Sequence, residues 1–488
     1  MNGRADRASV QKTSVQNIKR LCLTLFLNIN IIVPMPQLRE NKMGTMSVPR
    51  LIVNMSLPMM ISMFIQSLYN IVDSALVGRI NENALTALSL AFPLQNLMVA
   101  FGIGTAVGVN ALLSTRLGQK KMEDVNRAAM NGIFLALCTY LFILLLSFFI
   151  LHPYFVFSAK GVAQIVSYGE EYASIVMRAS FGMFGVMMLD RLLQATGRTI
   201  FTMVSQISGA FCNIILDCCL IFGLGPFPKL GVAGAAIATV IGQCLSMVLS
   251  LVFNLAFNRE IKFEFRKFRP HLATIRQVYL VALPTILLNG ATSLTTYLLN
   301  LILGMFSTTA IAVYGVYFKL NSFLFMPIFG LNSGLVPIIA YNYGACKKKR
   351  ILSTVRTGLL FALSIMGFGV ILFELIPGRL LMLFSATNEM LKIGVPAIRI
   401  IAPSFIGAAV AITLSSTFQA FRSAIYSMIV AFMRQLVVLL PVAYFLALTG
   451  NIRNVWFAFP IAEVVSVAVS IFFYMRLKKN RLMPMQEE

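Results

Sequence analysis

The sequence predicts an all-α membrane protein of twelve transmembrane helices in two pseudo-symmetric six-helix bundles. Of its 488 residues, 58% are apolar and only 12% are charged, whereas soluble proteins carry about a quarter charged residues. Apolar runs of roughly 20 residues or more, long enough to cross a ~30 Å hydrocarbon layer, recur along nearly the whole chain. The second half also repeats several glycines and a Leu-Pro pair of the first half in register.

We number the apolar segments as spans 1 to 12. Each span must be helical, because lipid offers no hydrogen-bond partner to backbone polar groups. The predicted spans are 51–77, 88–115, 128–151, 168–190, 196–222, 232–256, 277–302, 312–340, 352–376, 392–414, 420–448 and 455–477.

The spans and the loops between them suggest five sections of chain. These are a cytoplasmic N-terminal extension at 1–46, an N-terminal lobe at 47–256, a basic cytoplasmic linker at 257–276, a C-terminal lobe at 277–477 and a cytoplasmic tail at 478–488. The apolar run inside the extension, 21–33, is too short to span a bilayer. We expect Met43 or Met46 to be the true first residue.

An internal repeat relates the two lobes. Shifting the chain by 226 residues superposes Leu57-Pro58 on Leu283-Pro284, and a shift of 225 aligns Gln194-Ala195 with Gln419-Ala420. The first shift also superposes the glycines at 78, 104, 108, 118 and 132 on those at 304, 330, 334, 344 and 358. Six spans per lobe make the repeat parallel, as in several secondary transporters whose binding site lies at the lobe interface.

The Lys and Arg residues behind the net charge of +23 are concentrated in the loops on one side of the membrane. The parts of the tails near the membrane and the loops after even-numbered spans hold 25 Lys and Arg residues, against six in the loops after odd-numbered spans. The positive-inside rule therefore places both termini in the cytoplasm. We expect the membrane to be the inner membrane of a bacterial cell. Attraction to anionic lipid head groups accounts for the basicity without a nucleic-acid partner.

Polar side chains mark two helix faces in the first lobe. Gln66, Asn70 and Asp73 stand at i, i+4 and i+7 on span 1, and Asn213 and Asp217 stand at i and i+4 on span 5. Ionisable groups inside a span cost at least ~2.5 kcal/mol, so by default they line a cavity and are functional. Carboxylate and amide oxygens suit a small cation, and two carboxylates can equally share a proton.

Over residues ~46–480 the chain resembles the multidrug and toxic compound extrusion (MATE) family. The residues that carry the likeness are Leu57-Pro58, the stretch from Gln66 to Asp73 with Gly78 following, Gly118-Gln119, Gln194-Ala195-Thr196-Gly197 and the stretch from Leu230 to Ala236. The resemblance implies two lobes in a V shape, alternating access, and export of lipophilic, often cationic compounds driven by inward Na⁺ or H⁺ flow.

The resemblance also implies an ion site in the N-terminal lobe. By motif, its ion-coupling residues are Asp73, Asn213, Asp217 and Thr239, with Gln66 and Asn70 as a supporting polar face. A structural alternative is that both acids pair with Arg residues and only hold helices together. The residue pattern leaves Na⁺ and H⁺ equally open.

The second lobe departs from the acidic pattern. Span 7 has no carboxylate, and Lys319, Arg399, Arg434 and Glu463 lie on spans 8, 10, 11 and 12. An Arg434–Glu463 or Lys319–Glu463 bridge is one interpretation, and a basic pocket for an anionic substrate group or lipid is the other.

Methionines are the remaining candidates for the substrate cavity. Met59 and Met63 on span 1 and Met183 and Met187 on span 4 offer adaptable apolar surface, although core packing would also explain them.

The leading functional hypothesis is Na⁺- or H⁺-coupled antiport of small lipophilic compounds by a monomer surrounded by membrane lipid. The alternative is a flippase for lipid-linked sugars or other amphiphiles. A membrane enzyme ranks last, because the sequence has no His-Glu-x-x-His and no Gly-x-Ser-x-Gly motif. With two histidines and no Cys-x-x-Cys pair, we expect no cofactor and no resident metal.

Overall fold

Helices account for the architecture that the computed structural model describes, which covers residues 41–159, 162–224, 226–263, 268–384 and 387–486. Ten of these helices are long and apolar enough to cross a membrane, and two bent helix pairs bring the number of spans to twelve. The predicted fold class is confirmed. The predicted extension lies outside the described residues as far as residue 40.

The first six spans agree with prediction to within several residues. They are Val48–Gly78, Glu82–Gly118, Met122–Ser158, the pair Ala163–Arg178 and Phe181–Ala195, Thr199–Phe222 and Val232–Phe257. Span 2 begins at an N-cap in which the Asn81 side chain accepts a hydrogen bond from the Ala84 amide at 2.7 Å.

The second lobe has the same order of helices. Spans 7 to 10 are Leu272–Gly304, Thr308–Gly344, Lys348–Leu375 and the pair Asn388–Ile401 and Ser404–Ala420, with a short helix Pro377–Met382 after span 9. Span 11 consists of Ala424–Phe432, a π-helical segment Met433–Leu439 and Leu440–Ala447, and span 12 is Ala458–Leu477. Ser307 caps span 8 through the Ala310 amide at 3.1 Å, 226 residues beyond the Asn81 cap.

Spans 4 and 10, which correspond in the two lobes, are both bent. The bend is 45° in span 4 and 50° in span 10. Pro403 explains the second bend, since proline interrupts helix hydrogen bonding. At each break a serine hydroxyl donates to the carbonyl three residues earlier, Ser180 to Met177 at 2.7 Å and Ser404 to Ile401 at 2.6 Å.

The repeated glycines explain how the lobes meet. A Cβ on Gly118 would lie 2.0 Å from the carbonyl oxygen of Tyr341, and one on Gly344 would lie 2.0 Å from that of Thr115. These contacts are reciprocal, because each partner lies 226 residues from its counterpart. Glycine is required there because only its backbone permits so close a helix crossing.

Other glycines extend the contact between lobes toward the middle of the membrane. Gly104 on span 2 packs on Ile286 of span 7, and its counterpart Gly330 on span 8 packs on Met60 of span 1. All of these residues lie in the half of the bundle next to the basic loops, which we call the basic end. One turn beyond Ile286 on span 7, no described atom lies within 4 Å of a Cβ added to Gly290.

The residues just before span 1 also join the packed core. The one-turn helix Lys42–Thr45 includes Met43, which is completely buried. The Met43 carbonyl accepts hydrogen bonds from Asn342 at 3.0 Å and Arg350 at 3.1 Å. The fold therefore begins several residues earlier than the predicted boundary at 47, because side chains of the second lobe satisfy this stretch of backbone.

Candidate functional site

The structure brings together the residues predicted for the ion site. Asp217 on span 5 is completely buried, and Asn213 one turn earlier is 3% exposed. The Asn213 amide donates to the Thr239 hydroxyl on span 6 at 3.4 Å. Asp73 on span 1 is half-buried and close enough to act electrostatically on Asp217. Three helices therefore converge on one acidic site near the end of the first lobe opposite the basic end.

Several buried oxygens in this site have no hydrogen-bond partner among the described residues. They are Asp73 Oδ1, Asn213 Oδ1, both carboxylate oxygens of Asp217, and Gln243 Oε1. Leaving one buried acceptor unsatisfied costs about 1–3 kcal/mol. Because several such acceptors are grouped here, they form a set of oxygens suited to a proton or a small hard cation.

Neither acid of this site forms an ion pair with a described residue. A carboxylate that served only to hold helices together would need an Arg or Lys partner to offset the cost of burying its charge. The structural alternative, in which Asp73 and Asp217 pair with arginines, therefore finds no support in the described part of the chain.

Two tyrosines that sequence reasoning missed border the acids. Tyr69 is hydrogen-bonded to Gln66, and Tyr172 on span 4 is 2% exposed and accepts a hydrogen bond from Gln95 at 3.1 Å. Both rings lie within electrostatic range of Asp73. Tyr69 stands one turn before Asp73, which is a signal that the helix spacing could have provided. The side chain of Asn70 lies outside the described residues.

A resident metal centre has no support in the part of the chain that the structure describes. No group of three or more His, Cys, Asp or Glu side chains comes together there. Two carboxylates with amide and hydroxyl oxygens still fit a monovalent cation, which needs fewer charged ligands than a divalent one. The same set fits one proton shared between the acids.

The second lobe contains one of the two bridges considered above. Arg434 Nη1 lies 3.4 Å from Glu463 Oε2, and Glu463 is 8% exposed. Lys319 is exposed, with its ammonium 5.9 Å from the centre of the Phe384 ring. Arg434 belongs to the π-helical segment, a feature found frequently at functional sites.

The candidate methionines take part in helix packing. Met59 and Met183 are buried, and Met63 and Met187 are half-buried. The sulfur of Met187 would lie 2.5 Å from a Cβ on Gly102, so it fills the space beside that glycine. Their role in substrate binding stays a prediction.

Sequence reasoning also missed Asp190, a carboxylate that is 2% exposed. The predicted span 4 ended at residue 190, where a solvated acid is unremarkable, but the helix continues to Ala195 and buries the side chain. A signal was available on span 6, where Ser246, Ser250 and Asn254 are spaced four residues apart and form a polar stripe.

Fold and site together define the class of protein. A duplicated helical bundle whose lobes meet at one end, with a buried polar site among its spans, has the architecture of a secondary transporter. The MatE family model matches residues 58–219 and 284–445, so the chain belongs to the MatE family of transporters. The two matches are 226 residues apart, which is the shift that relates the lobes in the sequence.

Relatives and solved structures agree with this assignment. The multidrug export protein MepA of Staphylococcus haemolyticus is 26% identical over 89% of this chain and 95% of its own length. A FAD transporter of Shewanella oneidensis is 24% identical over 87% and 94% of the two chains. A structure described as the outward-facing conformation of a multidrug resistance MATE family transporter has a TM-score of 0.85, with 22% identity over 92% of this chain and all of that one.

Proposed function

We propose that the protein is a secondary active exporter that moves lipophilic, often cationic compounds out of a bacterial cell in exchange for inward H⁺ or Na⁺. The observation that carries the proposal is the group of unpartnered buried oxygens on Asp73, Asn213, Asp217 and Gln243. Carboxylates inside a membrane span that have no ion-pair partner commonly belong to proton or ion pathways. The names of relatives, such as multidrug export protein, support the substrate class.

The position of the contact between the lobes supports a mechanism of alternating access. They meet at the basic end, which the positive-inside rule assigns to the cytoplasm, so we assign this conformation to the outward-open state. Span 1 contributes to both parts of the mechanism, because it carries Asp73 and also packs through Met60 on Gly330 of the second lobe. Cation binding at Asp73 therefore acts on a helix that forms the closed cytoplasmic contact.

The coupling test uses inverted membrane vesicles that accumulate ethidium, with the H⁺ and Na⁺ gradients collapsed separately. We expect collapse of one gradient to stop accumulation, and we expect Asp73→Asn and Asp217→Asn to remove that response. Glu171→Gln is the matched control, because Glu171 is an exposed acid of span 4. Accumulation that persists without either gradient, or coupled transport by both Asn variants, would contradict the proposal.

Anionic substrates form a second candidate class. One relative is named a FAD transporter, and Lys319 is an exposed base of span 8 that no described carboxylate pairs with. Direct binding of FAD and of ethidium, compared between wild type and Lys319→Ala, separates the two classes. Tighter binding of FAD that weakens in the variant would favour the anionic class over the cationic one.

A further inference from the structure

The buried carboxylate of Asp190 is held by neutral donors alone among its described hydrogen-bond partners. Ser205 donates to it at 3.2 Å and Gln206 at 2.7 Å, and Ser250 of span 6 donates through a short hydrogen bond. The first two donors lie on span 5, so Asp190 joins three spans of the first lobe. The coupling mechanism described above makes no use of this acid.

The charged groups near Asp190 are engaged with other partners. Arg191, the neighbour whose charge acts on Asp190, donates to Gln194 at 2.9 Å. Toward the basic end, the charged groups on the neighbouring helices are paired among themselves: Arg198 with Glu260 at 3.0 Å, and Arg116 and Arg127 with Asp124, each at 3.7 Å. Asp217, the acid of span 5, lies near the other end of that helix. Cys244 is the titratable residue of span 6. The described residues therefore leave the Asp190 carboxylate without an ion-pair partner.

Asp190 and the predicted ion site lie toward opposite ends of the first lobe. Along span 5, Gln206 and Asp217 are 11 residues apart, which corresponds to about 16 Å of helix rise. Asp190 lies five residues from the basic end of span 4. One acidic site is therefore close to each membrane surface.

A hydrogen-bonded connection runs from Asp190 to span 1. Gln206 donates to Asp190 through its amide nitrogen, and its amide oxygen accepts a short hydrogen bond from Ser62. Ser62 lies one turn before Gln66, which is bonded to Tyr69 beside Asp73. Spans 5 and 6 pack closely between the two acidic sites and leave no direct path there, because a Cβ on Gly209 would lie 2.6 Å from the carbonyl oxygen of Gly242.

We infer that Asp190 is a proton-binding site on the cytoplasmic side of the coupling route, linked to span 1 through Gln206 and Ser62. A proton fits better than Na⁺, because Gln206 presents an NH₂ group to the carboxylate where a metal ion would require an oxygen. A carboxylate that neutral groups surround gains or loses a proton without breaking an ion pair. The inference rests on the proposed function, since it assigns the site at which inward-moving protons leave.

The test uses the full chain reconstituted in liposomes with ethidium as the probe. Proton-driven net uptake is measured over a range of pH, and ethidium counterflow is measured at equal pH on both sides, where no net proton movement is needed. We expect Asp190→Asn to lower proton-driven uptake by about a hundredfold, as when a required proton-transfer group is lost. Counterflow should stay near the wild-type rate, and Asp190→Glu should restore proton-driven uptake.

Ser246→Ala is the matched control, because Ser246 lies on the same face of span 6 and donates only to the Ser205 carbonyl, at 3.0 Å. Its pH profile should match that of the wild type. Ser250→Ala keeps the carboxylate and removes one donor, so it should shift the pH midpoint. This variant keeps the test decisive if Asp190→Asn does not fold.

Three results would overturn the inference. They are a wild-type pH profile in Asp190→Asn, an unchanged midpoint in Ser250→Ala, and equal loss of both transport modes in Asp190→Asn at an unchanged melting temperature. Failure of the proposed function is distinguishable, because the wild type would then respond to neither gradient. If the wild type responds and Asp73→Asn does not, while Asp190→Asn keeps a normal profile, only the Asp190 inference fails.

Discussion

The two lobes share a backbone design and differ in how they treat buried charge. In the first lobe, Asp217 is completely buried and neither of its carboxylate oxygens has a described partner. In the second lobe, the buried Glu463 is paired with Arg434 at 3.4 Å. The N-caps of spans 2 and 8 and the glycine contacts between the lobes have counterparts in both lobes, so these parts of the skeleton have diverged far less than the polar interiors.

The difference separates two uses of a carboxylate inside a membrane. A paired acid is costly to separate from its partner, which makes it suited to holding helices together. An unpaired acid is itself costly, and a structure retains it when binding a proton or cation lowers that cost. The contrast fits the proposed function, in which coupling belongs to the first lobe, and we expect the charge pair of the second lobe to be structural.

Breaking the pair in the second lobe should produce the largest loss of stability. Arg434→Met leaves Glu463 buried and uncompensated, which costs about 3–5 kcal/mol. Glu463→Gln combined with Arg434→Met should recover most of that loss, because no buried charge remains. Thermal unfolding in detergent measures both variants. Equal melting temperatures for the single and double variants would show that the pair does not stabilise the lobe.

The shared skeleton makes a prediction of symmetry. Gly118→Ala and Gly344→Ala each place a Cβ 2.0 Å from a carbonyl oxygen of the other lobe, so each should cost about 1–3 kcal/mol through overpacking. Their effects should be alike and should favour separation of the lobes at the basic end. Accessibility of a cysteine placed at Thr115 reports that separation.

Gly290→Ala is the control for the glycine pair, because it meets no described atom within 4 Å. If Gly290→Ala exposes the cysteine at the basic end as much as Gly118→Ala does, the effect comes from helix propensity and not from packing between the lobes. Unequal effects of Gly118→Ala and Gly344→Ala would show that the two lobes are symmetric in sequence but not in the energetics of their contact.

The sequence was informative about the lobes wherever periodicity or repetition applied. Apolar runs predict the twelve spans, repetition of the sequence gives the 226-residue shift, and spacing places Asn213 and Asp217 on one face of a single helix. That Asp73 of span 1 meets them is what the resemblance to the MATE family implied. The limits were physical. No residue pattern marks the π-helical segment around Arg434, and the bend in span 4 has no proline. Asp190 was missed because its burial depends on five further residues of helix.

Replacing the unpaired acid should stabilise the first lobe. Asp217→Leu removes two buried oxygens that have no described partner, for a gain of about 1–3 kcal/mol, while ion-driven transport should be lost. Asp190→Leu should do the opposite to stability, because it leaves three donors without an acceptor. Melting temperatures in detergent compare the two. A loss of stability in Asp217→Leu would indicate that this carboxylate is satisfied within the folded protein.

The smallest effect should come from Lys319, a base of the second lobe that no described carboxylate pairs with. Lys319→Met removes a cation–π contact of 5.9 Å with Phe384, worth about 0.5–1 kcal/mol at an exposed site. Because the variant leaves no buried charge behind, its melting temperature should fall far less than that of Arg434→Met. Phe384→Leu removes the same contact by replacing the ring, and it should lower the melting temperature by a similar amount. A fall as large as that of Arg434→Met would mean that Lys319 also neutralises a buried acid, and the contrast between paired and unpaired charges in this lobe would not hold.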